Sequence, residues 1–347
     1  MKIGISYDLK VATAADGLVL PRLPDDFQEE FDSPATIEAI ASVLRGLGHE
    51  VIFLGDGREL LQRLLDQPPD FVFNFAEGQG IGRSREARVP AVLEMLGIPY
   101  SGSDPLTMAV TLDKDCAKRL AASAGIAVPQ ALVVSPDDPD WKIDVPLSRL
   151  PFPVVVKPAW EGSSKGIRGK CLVDTADDLP QIVESLWRDH RQPVLVEEYI
   201  EGDEVTIGVL GNDDPEVIGI MRIIPQQSAG RFIYSLEVKR DFRRQVRYEC
   251  PASLAPSVTV AVRAAALNVF HTLGCRDVAR IDFRLRTGVP YFLELNPLPG
   301  LHPEDSDLVI MAKLAGWSYA RLVERIIAEA LRRHGIPEET SCRGRSS

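Results

Sequence analysis

Cysteine is scarce and unpatterned in this chain. Its five cysteines (Cys116, Cys171, Cys250, Cys275 and Cys342) are scattered, odd in number and never spaced as C-x-x-C. That argues against a disulfide framework or a zinc site and suits a reducing cytosol. Positive charge is also short. Against 50 Asp and Glu stand 39 Lys and Arg, a formal net charge of −11. Neither end carries a basic tract, so nucleic acid is not the expected partner. No apolar run approaches the roughly 20 residues a membrane helix needs. The opening MKIGISYDLK enters a strand-like run with no signal-peptide core. G-x-x-x-x-G-K-[ST] is absent, which excludes a P-loop. There is no internal repeat and no low-complexity stretch. What remains is ordinary globular composition, 45% hydrophobic over 347 residues, long enough for two or three domains with real cores.

Residues 1–105 alternate strand and helix. KIGISY (2–7), VIFL (51–54) and DFVFNF (70–75) read as strands, and IPYSG opens a fourth. Ser33-Pro34 reads as an N-cap with proline at the first helical position, followed by Ile37, Ile40, Ala41, Leu44 and Leu47 at helical spacing. Further helices are expected over Glu59–Leu65 and around Glu86–Leu96. This alternation predicts an α/β unit with a parallel, Rossmann-like sheet. Its ligands are expected at the strand ends near Tyr7 and Ala76-Glu77-Gly78. Residues 106–201 read as a second unit: a helix at 114–124, the strand FPVVVKP, a helix at 179–190 and the strand VLVEEYI, with a Pro/Asp-rich loop at 135–146. Residues 202–335 are strand-rich, then helical from Pro256 to Leu273, with a last helix at 319–333. The α+β character belongs to this half. Residues 336–347 read as a loose polar tail.

The chemistry concentrates between Val278 and Gly300. At strand period two, Arg280, Asp282 and Arg284 fall on one face and Ile281, Phe283 and Leu285 on the other. After the turn signal Arg286-Thr287-Gly288, Glu294 and Asn296 share a face opposite Leu293 and Leu295. Paired as a hairpin, these strands present two carboxylates, an amide and a guanidinium on one side. Hard oxygen ligands with positions left for phosphates suit Mg²⁺, and the arginine suits an anion sharing that metal. The bland reading is an amphipathic hairpin with a solvated face.

Two other stretches bear on that choice. Lys157 ends a β-branched run, where a buried lysine is costly unless an anion meets it. The small-residue loop 161–166 follows, with backbone N–H groups and two serine hydroxyls in the manner of a phosphate cradle. In LVEEYIEGDEVTIGV (195–209), Tyr199 and Ile200 suit the flanks of a flat ring. Glu197 or Glu204 suits an amino group or ribose hydroxyls. Taken alone, this stretch is a solvated acidic loop and Lys114 a solvated helix residue.

VVVKPAWEGSSKGI, LVEEYIEGDEVTIGVL, ARIDFRL and LELNPLPG, preceded by IPYSGSDPLTMAVTLDKDCAK, resemble in this order the ATP-grasp motifs of the D-alanine–D-alanine ligases. The resemblance covers nearly the whole chain. It implies the three-domain ATP-grasp fold, divided at 1–105, 106–201 and 202–335. It also implies ATP-dependent carboxylate–amine ligation through an acyl phosphate. In the roles it implies, Lys114 and Lys157 contact the ATP phosphates and Ser164 covers them. Glu197 with the Tyr199–Ile200 backbone reads adenine, and Glu204 holds ribose. Asp282, Glu294 and Asn296 hold two Mg²⁺ ions bridged by Glu294, with Mn²⁺ able to substitute. Arg280 and the Gly300 N–H stabilise the oxyanion, and Ser163 and Lys239 complete the catalytic set. The resemblance further implies small-molecule amino-acid substrates, a cytoplasmic cell-wall role and a homodimer.

The substrate half departs from the family pattern. Phe75-Ala76-Glu77-Gly78 stands where the family carries Leu-His-Gly, so a carboxylate replaces an imidazole. Arg240 replaces the tyrosine that would bond Ser163. The segment past the hairpin, 302–308, is about two residues longer and more acidic, with Ser306 as the expected grip on the second substrate. Glu29 and Glu30 are the candidates for binding the first ammonium. Arg85, Arg88, Lys239 and Arg240 suit extra carboxylates; Glu77, Glu304, Asp305 and Asp307 suit extra amines. A ligase of other amino acids or small peptides is therefore kept beside the family reaction. A non-catalytic nucleotide-binding module would predict a broken metal site, and an ATP-grasp carboxylase or phosphotransferase would need no amine acceptor.

Overall fold

The structure is a computed structural model that describes residues 1–10, 24–135, 150–227 and 230–337. The Pro/Asp-rich loop from residue 136 and the tail from residue 338 lie outside the described residues, as does much of the segment after the first strand.

Three sheets form, each from one stretch of chain. β1 (Lys2–Tyr7), β2 (Glu50–Gly55) and β3 (Phe71–Phe75) pair in parallel in the order β2-β1-β3. α1 (Pro34–Gly46) begins where the capping signal sits. The Ser33 hydroxyl accepts from the Thr36 N–H, and Ile37, Ile40, Ala41 and Leu44 are buried. α2 (Gly57–Asp66) and α3 (Arg88–Leu96) complete this unit. The expected fourth strand does not form. Val72 and Tyr100 make a single parallel bridge, after which distant groups capture the chain. The Gly102 N–H donates to Asp277 at 2.8 Å, and Arg333 donates to the Tyr100 and Gly102 carbonyls.

α4 (Pro105–Leu112) and α5 (Lys114–Ser123) lead into the second sheet. There β4 (Ala131–Val134), β5 (Val154–Pro158), β6 (Leu172–Val173) and β7 (Val194–Glu198) run antiparallel in the order β4-β7-β5-β6. α6 (Leu179–His190) buries Leu179, Val183 and Leu186 against it. The third sheet is antiparallel in the order β10-β9-β8-β11-β12. It contains β8 (Asp203–Leu210), β9 (Glu216–Pro225), β10 (Val246–Glu249), β11 (Val278–Arg286) and β12 (Val289–Asn296). Its helices are α7 (Leu236–Arg240), α8 (Pro256–Thr272), α9 (Asp307–Leu314) and α10 (Tyr319–Arg333).

Packing ties these stretches together. Ile281, Phe283 and Leu285 of β11 meet Val262, Ala266 and Phe270 of α8, together with Ala117 and Ala121 of α5. The helix that carries Lys114 therefore leans on the third sheet, although its sequence runs into the second. α10 sends Leu322, Val323, Ile326 and Ile327 into a core shared with β1 and α1. Burying such side chains contributes about 1.5–3 kcal/mol each, so the last helix fastens the third sheet to the first.

Between β7 and β8 the chain needs glycine. Gly202 has φ +136°, and a Cβ there would lie 1.8 Å from the Leu285 carbonyl oxygen. Gly202→Ala is expected to destabilise the chain by at least about 1–3 kcal/mol. Urea denaturation checks this; an unchanged midpoint would show that β11 yields without cost.

Candidate active site

The β11–β12 register places Arg280 opposite Asn296 and Asp282 opposite Glu294. The ladder then shifts, so that Phe283 faces Phe292 and Leu293 has no partner. A bulge of this kind re-aims one residue, and its consequence corrects the simple alternation. Leu293 does not join Leu295 in the core but lines a cleft with Asp282 and Glu294. Its spare carbonyl accepts a hydrogen bond from Lys118. Thr206 on β8 donates to Asp282 at 2.5 Å, and Arg280 grips the same carboxylate through Nε at 3.1 Å and Nη2 at 2.9 Å.

Cations converge on this carboxylate pair. Lys114 Nζ is 3.5 Å from Glu294. Burial works to raise the Glu294 carboxyl, but Lys114, Lys157, Lys239 and Arg280 outweigh it and hold the group well below the ordinary range. Lys157 is itself 4% exposed and pairs with Glu197 at 2.6 Å. Burial opposes its charge, yet Glu197 and Glu294 raise its pKa. Lys118 shares Glu197 at 3.1 Å, and there burial wins, pulling the lysine down to about 8. No group of three or more His, Cys, Asp and Glu side chains that could hold a metal occurs among the described residues. Asp282, Glu294 and Asn296 form an incomplete oxygen set beside a surplus of cations. The Asn296 amide nitrogen is buried without a partner. That donor set fits Mg²⁺ whose remaining ligands come from phosphates.

The cleft next to the pair, about 620 Å³, runs between the second and third sheets. Lys157, Ser164, Glu197, Tyr199, Ile200, Glu204 and Lys239 all line it, so the separate stretches expected to meet nucleotide do meet. Glu204 is met by Arg284 at 3.1 Å. The Arg284 guanidinium lies 4.7 Å from the Tyr199 ring centre, a stacked cation on an aromatic face.

Farther along the same face of the hairpin lies a second pocket, lined by Ser163, Arg280, Asn296, Gly300 and Glu77 among others. The Gly/Ser loop separates the two spaces. Ser163 and Ser164 both have positive φ, +46° and +58°; one side chain lines each pocket. The segment 24–32 pins this loop. Glu30 accepts from the Gly162 N–H and from Lys165 at 2.9 Å, and Asp26 accepts from the Gly166 N–H at 2.9 Å. Arg85 joins Glu30 at 2.7 Å and donates to the Trp160 carbonyl at 2.6 Å. Lys165 also holds Glu161 at 2.5 Å.

Several expected substrate residues are occupied elsewhere. Arg240 pairs with Asp25 at 2.9 Å and Glu29 at 2.8 Å on an exposed face. Glu304 and Asp305 lie near Arg243 at the surface. Arg85 is 1% exposed, with its fork consumed internally, and Arg88 donates to the Gln79 carbonyl. The Ser306 hydroxyl accepts from the His302 N–H at 2.8 Å and would meet a Gly300 Cβ at 2.8 Å, so it braces the loop. Asp307 stands nearer the chemistry. Tyr234 and Tyr248 donate to it at 3.1 and 3.2 Å, and Arg280 lies 3.7 Å away. Sequence reading missed Lys118, Arg284 and the Glu30–Arg85–Lys165–Glu161 cluster. Lys118 had a signal, four residues after Lys114 on one helical face; the cluster had none, because its members come from three distant stretches.

Removing one carboxylate from that cluster leaves buried cations unmatched. Glu30→Gln is expected to cost about 3–5 kcal/mol and to expose the Gly/Ser loop to proteolysis. Wild-type stability together with wild-type cleavage resistance would contradict the clamp.

The family model for the D-ala D-ala ligase C-terminus matches residues 120–328. An uncharacterized protein, y4sG of Sinorhizobium fredii, is 35% identical over 86% of this chain and 88% of its own. The D-alanine–D-alanine ligase of Aquifex aeolicus is 33% identical over 84% of this chain and 93% of its own. The solved D-alanine–D-alanine ligase of Bacillus anthracis, complexed with ATP, superposes with a TM-score of 0.73 at 25% identity, covering 96% of this chain and 99% of that one. The expected ATP-grasp fold is therefore present. The chain belongs to the D-alanine–D-alanine ligase family and is an ATP-dependent carboxylate–amine ligase.

Proposed function

We propose that the chain ligates two amino acids, with ATP in the cleft between the second and third sheets and the acyl donor in the neighbouring pocket on the same face of the hairpin. The observation that carries this reading is the shared wall. Asp282 and Glu294 line the nucleotide side while Arg280, Asn296 and Gly300 line the other. A γ-phosphoryl group and a carboxylate oxygen could meet only at that wall. Phosphoryl transfer asks chiefly for positioning and charge neutralisation, which Lys114, Lys157, Lys239 and Arg280 supply. Mg²⁺, held by Asp282, Glu294 and Asn296, would withdraw charge from the phosphates. Ser164, whose hydroxyl donates to the Tyr234 carbonyl at 3.1 Å, fixes the loop over them. Glu204 and the Tyr199–Ile200 stretch hold the ribose and adenine ends. Glu197, clamped by Lys157 and Lys118, orients the lysines as well as facing the base. Arg280 and the Gly300 N–H face the carbonyl oxygen that turns anionic when the amine attacks. Residues 1–105, 106–201 and 202–335 would act as three bodies closing on this wall.

The relatives' names make D-alanine the reference substrate on both sides, and the reading places the reaction as a cytoplasmic step toward cell-wall precursors. Phosphate release with ATP and Mg²⁺, screened over single and paired amino acids of both hands, tests the reading. Turnover that needs both a carboxylate and an amine supports it; ADP release driven by bicarbonate alone would point to a carboxylase instead. Within the site, Lys157→Met is expected to weaken ATP binding at least tenfold by calorimetry while the fold persists. Asp282→Asn should lower kcat by a larger factor than it weakens ATP binding. Wild-type turnover of Asp282→Asn at saturating Mg²⁺ would remove that carboxylate from the metal.

A further inference from the structure

The donor pocket carries more negative charge than a simple amino acid needs. Four carboxylates line it: Glu30, Asp32, Glu77 and Glu86. Glu30 is matched, since Arg85 and Lys165 meet it at 2.7 and 2.9 Å. Those cations also serve Glu161, so two positive charges answer two negative ones. Asp32, Glu77 and Glu86 remain. Among the described residues, their closest cation is Arg85, 4.0 Å from Glu86. Lys10 acts on Asp32 and Lys114 on Glu86, both at longer range.

Glu86 is buried, and Asp32 and Glu77 are half-buried. Glu86 is 6% exposed and lines the same pocket as Glu77. Burial pushes Glu77 well above the ordinary carboxylate range, with Glu86 and Glu30 adding to it. Burial likewise takes Asp32 and Glu86 to about 7. Three acids that share one nearby cation are undermatched in the protein alone, and a ligand that brings positive charge relieves them. The opposite end of the same pocket holds Arg280, the unpartnered Asn296 amide and Gly300 beside the metal carboxylates. That end selects an anion. The ligand is thus carboxylate at one end and cationic at the other. A single α-ammonium lies one carbon from the reacting carboxyl and can answer only one of the three acids. One pocket is lined both by these acids and by Arg280 and Asn296, so a longer chain would reach from one set to the other.

We propose that the acyl donor is a diamino acid, its second amine seated among Asp32, Glu77 and Glu86, with Glu77 and Glu86 setting specificity. This rests on the ligase reading above.

The test uses the full chain with ATP, Mg²⁺ and a panel of amine acceptors. Peptide product and ADP are measured for 2,4-diaminobutyrate, ornithine and lysine of both hands. Alanine, norvaline and norleucine serve as the neutral comparison. A diamino donor is expected to exceed its uncharged counterpart at least tenfold in kcat/KM, mainly through KM. Glu77→Gln and Glu86→Gln nearly keep side-chain volume. Each should shrink that preference by raising KM for the diamino donor more than for the neutral one, with the thermal midpoint unchanged or higher. Neutral donors ligated as well as or better than diamino ones would overturn the proposal while leaving the ligase reading intact, as would variants that slow both classes equally. Peptide from neither class would remove the ligase reading and the proposal with it.

Discussion

Two carboxylates set side by side on neighbouring strands repel, and a strand pair carrying them is weakened unless something intervenes. Asp282 and Glu294 are such a pair, and the surrounding structure answers them. Arg280 comes from the same strand, Lys114 from α5, Lys157 from the end of β5 and Lys239 from α7. No single sheet could supply all four. The packing of α5 onto the third sheet and the crossing of the second sheet over the cleft are what deliver them. In the protein alone these cations balance the carboxylates. A divalent metal held by the carboxylates would leave these cations free to meet phosphate.

The second constraint is the Gly/Ser loop. Its two serines occupy left-handed backbone, which side chains adopt only when neighbours over-determine it. Here the neighbours are Glu30 and Asp26 from the N-terminal unit and the Tyr234 carbonyl from the third. All three units thus meet at one loop, and it separates the two pockets. Buried ion pairs are weak evidence for stability; their use here is to fix the one arrangement in which the two pockets share a wall.

The sequence made the nucleotide half legible because strand period two and local spacing suffice there. Arg280, Asp282, Glu294 and Asn296 could be assigned to one face, and Lys157 to a strand end, without knowing any distant partner. The bulge at Leu293 was not legible, since alternation alone cannot show where a ladder slips. The fourth strand was misread for a related reason: IPYSG has strand composition, but Asp277 and Arg333, far along the chain, take its backbone groups. The donor side was hardest. Arg85 and Arg240 look like substrate cations in one dimension, and three dimensions show both spent on Glu30, Asp25 and Glu29. Asp32 and Glu86 enter the pocket only because α1 and the turn before α3 converge at the ends of β1 and β3.

The account stands on a carboxylate oxygen and a γ-phosphoryl group meeting at the β11–β12 wall. The most direct measurement is oxygen transfer. A donor that supports turnover is labelled with ¹⁸O in its carboxylate, and the released phosphate is weighed by mass spectrometry. One labelled oxygen in each phosphate is the predicted result, because the attacking carboxylate oxygen leaves with phosphorus when the amine displaces it. Phosphate without label, alongside normal peptide formation, would contradict the acyl phosphate and the junction that makes it.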